Sequence, residues 1–148
     1  MKGRYQYRFY PTDQQRQSLA QLFGCVRVVW NDALSLCKQS EKLPGLNKLS
    51  AMLTQVKKTD ERQWLKEVSS VPLQQSLRHL DVAYRNFFNS RNGKRKGKKV
   101  GSPKFKKKTS NQSAEFTKAA RVNASKSSFQ TPKKGSHKSL LTERLEFS

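Results

Sequence analysis

The sequence predicts an α+β fold in which a helical bundle separates one strand from a later group of short strands. Three observations support this prediction. The stretch YQYRFY at 5–10 alternates like a half-buried strand, apolar residues recur at spacings of three and four between about 12 and 90, and extended stretches return around Phe116, Val122 and Phe129. One sheet interrupted by a helical insertion would bring the first strand beside the later ones.

Start and stop signals divide the helical region into five predicted helices. The first begins with a capping-box pattern, Thr12 and Gln15, and ends at Gly24. A second runs from about Cys25 to Ser40, and Asn47 can cap a third.

Two further helices complete the predicted bundle. A short fourth helix begins near Thr59, and a fifth begins at Ser69 or Ser70 with Pro72 in its first turn. The fifth has the most regular apolar stripe in the chain. The residues expected to face the core of the bundle are Leu19, Leu22, Phe23, Val26, Val29, Trp30, Ala33, Cys37, Leu49, Leu53, Val56, Trp64, Leu65, Val68, Leu73, Leu77, Leu80, Tyr84 and Phe87.

Positive charge dominates the composition. The 148 residues include 31 Lys and Arg against 10 Asp and Glu, a formal net charge of +21. A phosphate backbone is the commonest polyanion to balance such an excess. A membrane surface fits less well, since it favours one long basic amphipathic helix.

The richest basic stretch is GKRKGKKVGSPKFKKK at 93–108, where glycine and proline oppose helix formation. Phe105 can anchor the stretch to a core or stack on a base. A disordered solubilising tail is the alternative. The expected contacts to a nucleic-acid backbone are Lys94, Arg95, Lys96, Lys98, Lys99, Lys104, Lys106, Lys107 and Lys108, with Arg27 and Arg78 on the helices.

Two helical surfaces are further candidates for nucleic-acid contact. The first two predicted helices, joined through a glycine, form a helix-turn-helix-like arrangement, although an ordinary helical hairpin has the same pattern. Its exposed face holds Arg27, Asn31 and Asp32. The polar face of the fifth helix holds Gln74, Gln75, Arg78, His79 and Arg85. Gln can read adenine and Arg guanine, but the face can also be simply solvated.

Several classes of function find no support in the sequence. No stretch approaches the ~18 apolar residues of a membrane span, and the N-terminus lacks the apolar region of a signal peptide. Cys25 and Cys37 fit no metal or redox motif and are expected to be buried free thiols, which suits a cytoplasmic location. The acids are not arranged for metal binding or acid–base work. We therefore expect no cofactor, no metal, no membrane partner and no small-molecule substrate; the oligomeric state stays open.

In their order, these motifs resemble the N-terminal part of TnpB (OrfB-type) proteins, which are transposon-encoded RNA-guided nucleases. The resemblance spans roughly Arg4 to Phe129. It rests on "YP" after a strand, G-x-x-R-x-V-x-N from Gly24, LQ-x-S-L from Leu73 and G-x-P-x-F-K from Gly101. It implies an incomplete wedge-type β-barrel with an inserted helical recognition domain. The implied division is a wedge strand at 1–11, the recognition domain at 12–90, the basic segment and remaining wedge strands at 91–135, and a divergent tail at 136–148.

The resemblance also implies partners, namely guide RNA and the DNA duplex beside its target. The positions that match family contacts to the short DNA motif hold Ser50, Ser70, Gln74 and Thr117, with Ser70 included for its position only. Leu46 and Ser70 depart from the family pattern by residue type. The RuvC-like nuclease domain of the family, with its catalytic acids and zinc ribbon, has no counterpart in the sequence. We therefore expect a truncated protein that binds without cleaving.

Two other classes of protein remain open from the sequence. One is a stand-alone helix-turn-helix regulator that binds DNA without RNA, and the other is a structural RNA-binding protein of ribosomal type. For the TnpB-like interpretation, we expect residues 12–90 to form the protected core. The chain after Arg91 is expected to be mobile without nucleic acid.

Overall fold

The computed structural model describes residues 10–117, 121–122, 129–130 and 143–147. The helices are α1 (Asp13–Gln39), α2 (Leu46–Val56), a 3-10 helix (Gln63–Glu67) and α3 (Ser70–Arg91). The strands are β1 (Gln112–Phe116), β2 (Arg121–Val122), β3 (Phe129–Gln130) and β4 (Glu143–Phe147). The described part of the chain is therefore mostly helical, which confirms the helical part of the predicted fold.

The first two predicted helices are one continuous helix, α1. It begins with the predicted capping box, in which the Gln15 N–H donates to the Thr12 hydroxyl (3.4 Å) and the Thr12 N–H donates to the Gln15 side chain (2.9 Å). It does not end at Gly24, and the described glycines with positive φ are Gly93 and Gly97 instead. Buried residues continue on both sides of Gly24, so packing keeps the helix intact and the predicted break is wrong.

A substitution at Gly24 tests this continuity. A Cβ built at Gly24 meets no atom within 4 Å, so alanine fits the helix without a clash. We expect Gly24→Ala to raise the free energy of unfolding by about 0.5–1 kcal/mol, because glycine in a helix interior costs that much relative to alanine. Chemical denaturation measures the change. Gly93→Ala is the control and should be destabilising, since φ at Gly93 is +70°. Destabilisation by both substitutions would indicate a turn at Gly24.

The remaining helices differ from the predictions mainly at their starts. Gly45 occupies the N-cap of α2 without a side-chain cap, so the predicted Asn47 cap is wrong. The predicted fourth helix is the 3-10 helix, which begins four residues after Thr59. The start of α3 is as predicted: Ser69 is the N-cap, and its hydroxyl accepts from the Val71 N–H (3.4 Å).

The core lies where α1 packs against α3, with α2 and β1 completing it. The predicted stripe of α3 is buried from Leu73 to Tyr84, as are Leu49 and Leu53 of α2. The Ser76 hydroxyl donates to the Val26 carbonyl (3.3 Å) and ties the two long helices together. Most predicted core residues are confirmed. The partly buried ones at its edge are Val56, Trp64, Val68 and Phe87.

The strands form two antiparallel pairs, β1 with β4 and β2 with β3. The three stretches predicted to be extended are confirmed as β1, β2 and β3. The fourth strand, which was not predicted, falls in the segment assigned to a divergent tail and pairs Gln112 with Phe147 and Phe116 with Glu143. β1 buries Ala114 and Phe116 against the helical core.

The incomplete wedge-type barrel is not supported. Across the described residues, the two strand pairs share no strand and do not close into a barrel. The physical reason is that the apolar face of β1 is already covered by helices α1 and α3. Most of the predicted first strand, Tyr5–Tyr10, lies outside the described residues; Tyr10 itself is exposed and not in a strand. The predicted domain division stays a prediction.

Both cysteines are buried free thiols, as predicted. Burial, with a smaller contribution from the Glu67 carboxylate, raises the pKa of Cys25 to about 11. Burial and the Asp81 carboxylate also raise the pKa of Cys37. Since the thiolate is the reactive form, both thiols are chemically quiet and serve as small apolar core residues.

Candidate nucleic-acid interface

The basic segment, defined here as Gly93–Lys108, is attached to the helices at both ends. At its start the chain turns back over the end of α3, where the N–H groups of Lys94 and Arg95 donate to the Asn89 carbonyl (2.9 and 3.2 Å). Further on, the Val100 N–H donates to the Ser90 hydroxyl (3.0 Å). The turn includes Gly93 and Gly97, whose φ angles of +70° and +104° favour glycine.

The second half of the basic segment is held against α1 by side chains that bond its backbone. Trp30 Nε1–H donates to the Lys104 carbonyl (3.0 Å). The Asn31 amide donates to the Lys106 carbonyl (3.1 Å) and accepts from the Lys106 N–H (2.9 Å). Pro103 is buried beside these contacts. The two motifs G-x-x-R-x-V-x-N and G-x-P-x-F-K therefore meet, and the attachment argues against a free tail.

Two pairs of an aromatic ring and a lysine ammonium group lie between α1 and the basic segment. Lys106 Nζ lies 4.3 Å from the centroid of the Trp30 ring, and Lys38 Nζ lies 4.5 Å from that of Phe105. Both distances are within the range of cation–π attraction. The Phe105 ring is 50% exposed, so Pro103, rather than Phe105, is the buried anchor of the segment.

Most charges of the basic segment face solvent. The exposed ones are Lys94, Arg95, Lys96, Lys98, Lys99, Lys104, Lys107 and Lys108, whereas Lys106 is half-buried. Within the described residues, the ion pairs join Asp32 to Arg62, Glu115 to His79 and Asp81 to Arg85, so no acid neutralises these exposed cations. Arg78 is exposed and Arg27 half-buried on the helices. Most of the predicted backbone contacts are therefore accessible to solvent, and Arg27 and Lys106 only partly so.

The predicted DNA-motif residues gather at the first turns of α3. The Ser50 hydroxyl donates to the Gln74 side-chain oxygen (3.2 Å), which places α2 beside α3. Thr117, just after β1, accepts from Gln75 Nε2 (3.5 Å). Ser70 is exposed at the start of the same helix. Three elements thus bring four residues, separated in the sequence, to one end of α3.

The polar face predicted on α3 is only partly available. Gln75 is buried, at 9% exposure, and is bonded to Thr117. The His79 ring lies 2.7 Å from the Glu115 carboxylate of β1, and Arg85 pairs with Asp81 (2.7 Å). Gln75 and His79 are engaged because β1 packs on α3, whereas Arg85 is paired within the helix itself.

Sequence reasoning missed the positioning role of two residues on α1. Trp30 is in the core, as predicted, and Asn31 is half-buried rather than exposed. Both also bond the backbone of the basic segment. The sequence did contain a signal for the two partners of the contact between Asn31 and Lys106. Asn31 is the last residue of the motif G-x-x-R-x-V-x-N, and Lys106 is the last residue of G-x-P-x-F-K. The sequence alone did not indicate that the two motifs touch.

The described part of the chain offers neither a metal site nor a membrane span. Over residues 10–117 and the short described strands, no group of three or more His, Cys, Asp or Glu could hold a metal ion. Among the helices of these residues, none combines the length and the hydropathy that a membrane-spanning helix needs. The absence of metal, cofactor and enzymatic activity stays an expectation.

Comparison with known proteins assigns the class and then the family. The family model HTH_OrfB_IS605, described as a helix-turn-helix domain, matches residues 1–42. The chain belongs to the TnpB (OrfB-type) family and corresponds to its N-terminal part. The matched residues include α1. In this chain α1 is one continuous helix and not two helices joined by a turn at Gly24.

Three relatives show how much of a known protein's length the chain covers. It is 44% identical over 125 residues to a "Putative RNA-guided DNA endonuclease" of Streptomyces pristinaespiralis, covering 81% of this chain and 29% of the relative. It is 31% identical over 137 residues to a "Putative RNA-guided DNA endonuclease InsQ" of Escherichia coli K12, covering 88% of this chain and 32% of the relative. It is 33% identical over 110 residues to "Virulence protein VsdF" of Salmonella dublin, covering 67% of this chain and 87% of the relative. The chain thus spans about a third of the first two and most of the third.

Proposed function

We propose that the chain binds nucleic acid without cleaving it, with guide RNA and target-adjacent DNA as the ligands. The observation that carries this proposal is the attachment of the basic segment to α1 through Trp30 and Asn31. A cationic segment with a fixed backbone loses less conformational entropy on binding than a free tail. The names of two relatives, RNA-guided DNA endonucleases, support the choice of ligands.

The first turns of α3 are proposed to contact the edges of bases in the DNA duplex. Ser50, Ser70, Gln74 and Thr117 provide hydroxyl and amide groups that can donate and accept hydrogen bonds there. The N-terminus of a helix also favours nearby phosphate, because its free N–H groups and dipole are positive. Backbone contact through the basic segment and base contact through α3 are separate parts of this proposal.

The salt dependence of binding tests the backbone contact. If roughly five phosphates are neutralised, the slope of log affinity against log salt should be about −3.5 to −4.5. Replacing Lys98, Lys99 and Lys107 by glutamine should flatten this slope by about 2 to 3, because each lost contact removes ~0.7 to ~0.9. These three side chains are exposed and bond no other described group, so the fold should be unaffected.

A matched triple substitution separates a local contact from an effect of net charge. Lys42, Lys58 and Lys66 are also exposed but lie outside the basic segment. Replacing them by glutamine changes the net charge by the same amount and should leave the slope near the wild-type value. Equal slopes for the two triple variants would show that the basic segment is not the interface.

A further inference from the structure

The geometry points to a stacking site for an unpaired nucleotide, formed by the ring of Phe105 and the ammonium of Lys38. This inference rests on the proposed function and extends it, because it assigns to the basic segment a preference for single-stranded over double-stranded nucleic acid. The ligand is defined by the flat face of a base and the phosphate beside it. Both RNA and DNA supply this chemistry.

The backbone is fixed on both sides of Phe105. The Lys104 carbonyl accepts from Trp30 Nε1–H (3.0 Å), and both backbone groups of Lys106 bond the Asn31 amide (3.1 and 2.9 Å). Pro103 is buried two residues before the ring. A side chain between two such attachments has little freedom to move into the core. Its position toward solvent is therefore set by the fold.

The ring itself is available to a ligand. Phe105 is 50% exposed, so about half of its surface is open to a ligand instead of being buried in the fold. Lys38 Nζ lies over one face of the ring, 4.5 Å from its centroid, so a base stacks on the opposite face or takes the place of this flexible ammonium. Lys104 adds an exposed cation next to the ring in sequence. An aromatic face with adjoining cations is the arrangement that binds single strands.

Base pairing is what makes this site selective. In a duplex both faces of each base are covered by neighbouring base pairs, so an aromatic ring cannot stack without first separating them. An unpaired base has no such cost, while its phosphate can reach Lys38. The site therefore prefers a single strand, whereas contacts to backbone phosphates alone are available to both forms.

Substitutions at Phe105 test the site in the full chain. We expect Phe105→Leu to weaken binding of a single-stranded oligonucleotide about tenfold, the effect of losing one stacked base, and to leave binding of the matching duplex unchanged. Phe105→Trp should bind the single strand as tightly as the wild type, since any large aromatic ring provides the stacking face. Phe88→Leu is the control, an aromatic of similar exposure (41%) on α3 that should have no effect. RNA and DNA strands of one sequence, measured separately, show which of the two is bound.

Photocrosslinking provides a second readout. A strand carrying 5-iodouracil should crosslink to Phe105 in the wild-type chain and to the tryptophan in Phe105→Trp, as mapped by mass spectrometry, but not in Phe105→Leu. Equal loss of single-strand and duplex binding in Phe105→Leu, or no loss in either, would overturn the stacking site. Wild-type protein that binds neither ligand would instead overturn the proposed function.

Discussion

Replacing Phe116 by alanine is expected to lower the free energy of unfolding by about 3–5 kcal/mol, the usual cost of deleting a buried aromatic ring. Phe116 is 1% exposed and belongs to the same buried cluster as the stripes of α1 and α3. Its loss leaves a cavity at the point where β1 packs on the helices. Because small domains are stable by only ~5–15 kcal/mol, this change should be evident in denaturant unfolding.

The control for this prediction is Phe88→Ala, which deletes the same side chain at a more exposed position on α3. Phe88 is 41% exposed and contacts the rings of Tyr84 and Phe87, so its loss should cost clearly less. Hydrogen exchange adds a second measurement: the amides of β1 should be protected together with those around Leu77. Rapid exchange in β1, with a small effect of Phe116→Ala, would show that the strand is not part of the helical core.

Replacing Asn31 by aspartate is expected to destabilise the fold by about 1–3 kcal/mol, the cost of leaving a hydrogen-bonding group without its partner. The two side chains have almost the same shape, but a carboxylate cannot donate to the Lys106 carbonyl, which now lies 3.1 Å from the amide nitrogen. Two oxygens would face each other at that distance. The basic segment should then detach from α1, and nucleic-acid affinity should fall with it.

The acid dependence of Asn31→Asp distinguishes this cause from a general loss of packing. Near the Lys106 carbonyl, the carboxyl should have a pKa above the value of ~3.9 for unfolded aspartate, because only its protonated form can donate. The raised pKa stabilises the fold at low pH, and that contribution is lost as the pH rises through the folded pKa. The variant should therefore approach wild-type stability in acid and diverge from it near neutrality.

Asn47→Asp is the matched control for this prediction. Asn47 is exposed in the first turn of α2, where an acid is tolerated or mildly stabilising. It should lie within about 0.5 kcal/mol of the wild type, as is usual for surface substitutions. An Asn31→Asp protein equal to the wild type at pH 7 would show that the amide contacts do not hold the basic segment.

Local patterns in the sequence determined the helical region well. The capping box at Thr12, the cap at Ser69 and the apolar stripe from Leu73 to Tyr84 each describe interactions within a few residues, so they could be found without knowledge of the fold. The buried cysteines and the family of the protein were likewise evident from residue types and motif order. Where the sequence failed locally, as at Gly24, packing against α3 outweighed a weak preference of glycine for helix ends.

Contacts between distant residues were decided only by the tertiary structure. Asn31 and Lys106 are 75 positions apart, and no periodicity indicates that an amide on α1 will bond that backbone. The same holds for β4, which pairs with β1 across some 30 residues, and for Gln75, which is buried and bonds Thr117 where β1 packs on α3. Side chains of this kind are polar and their spacing is irregular, so their partners depend on how the helices pack. The sequence therefore determined that a basic segment exists, and the packing of α1 decided that it is held in place.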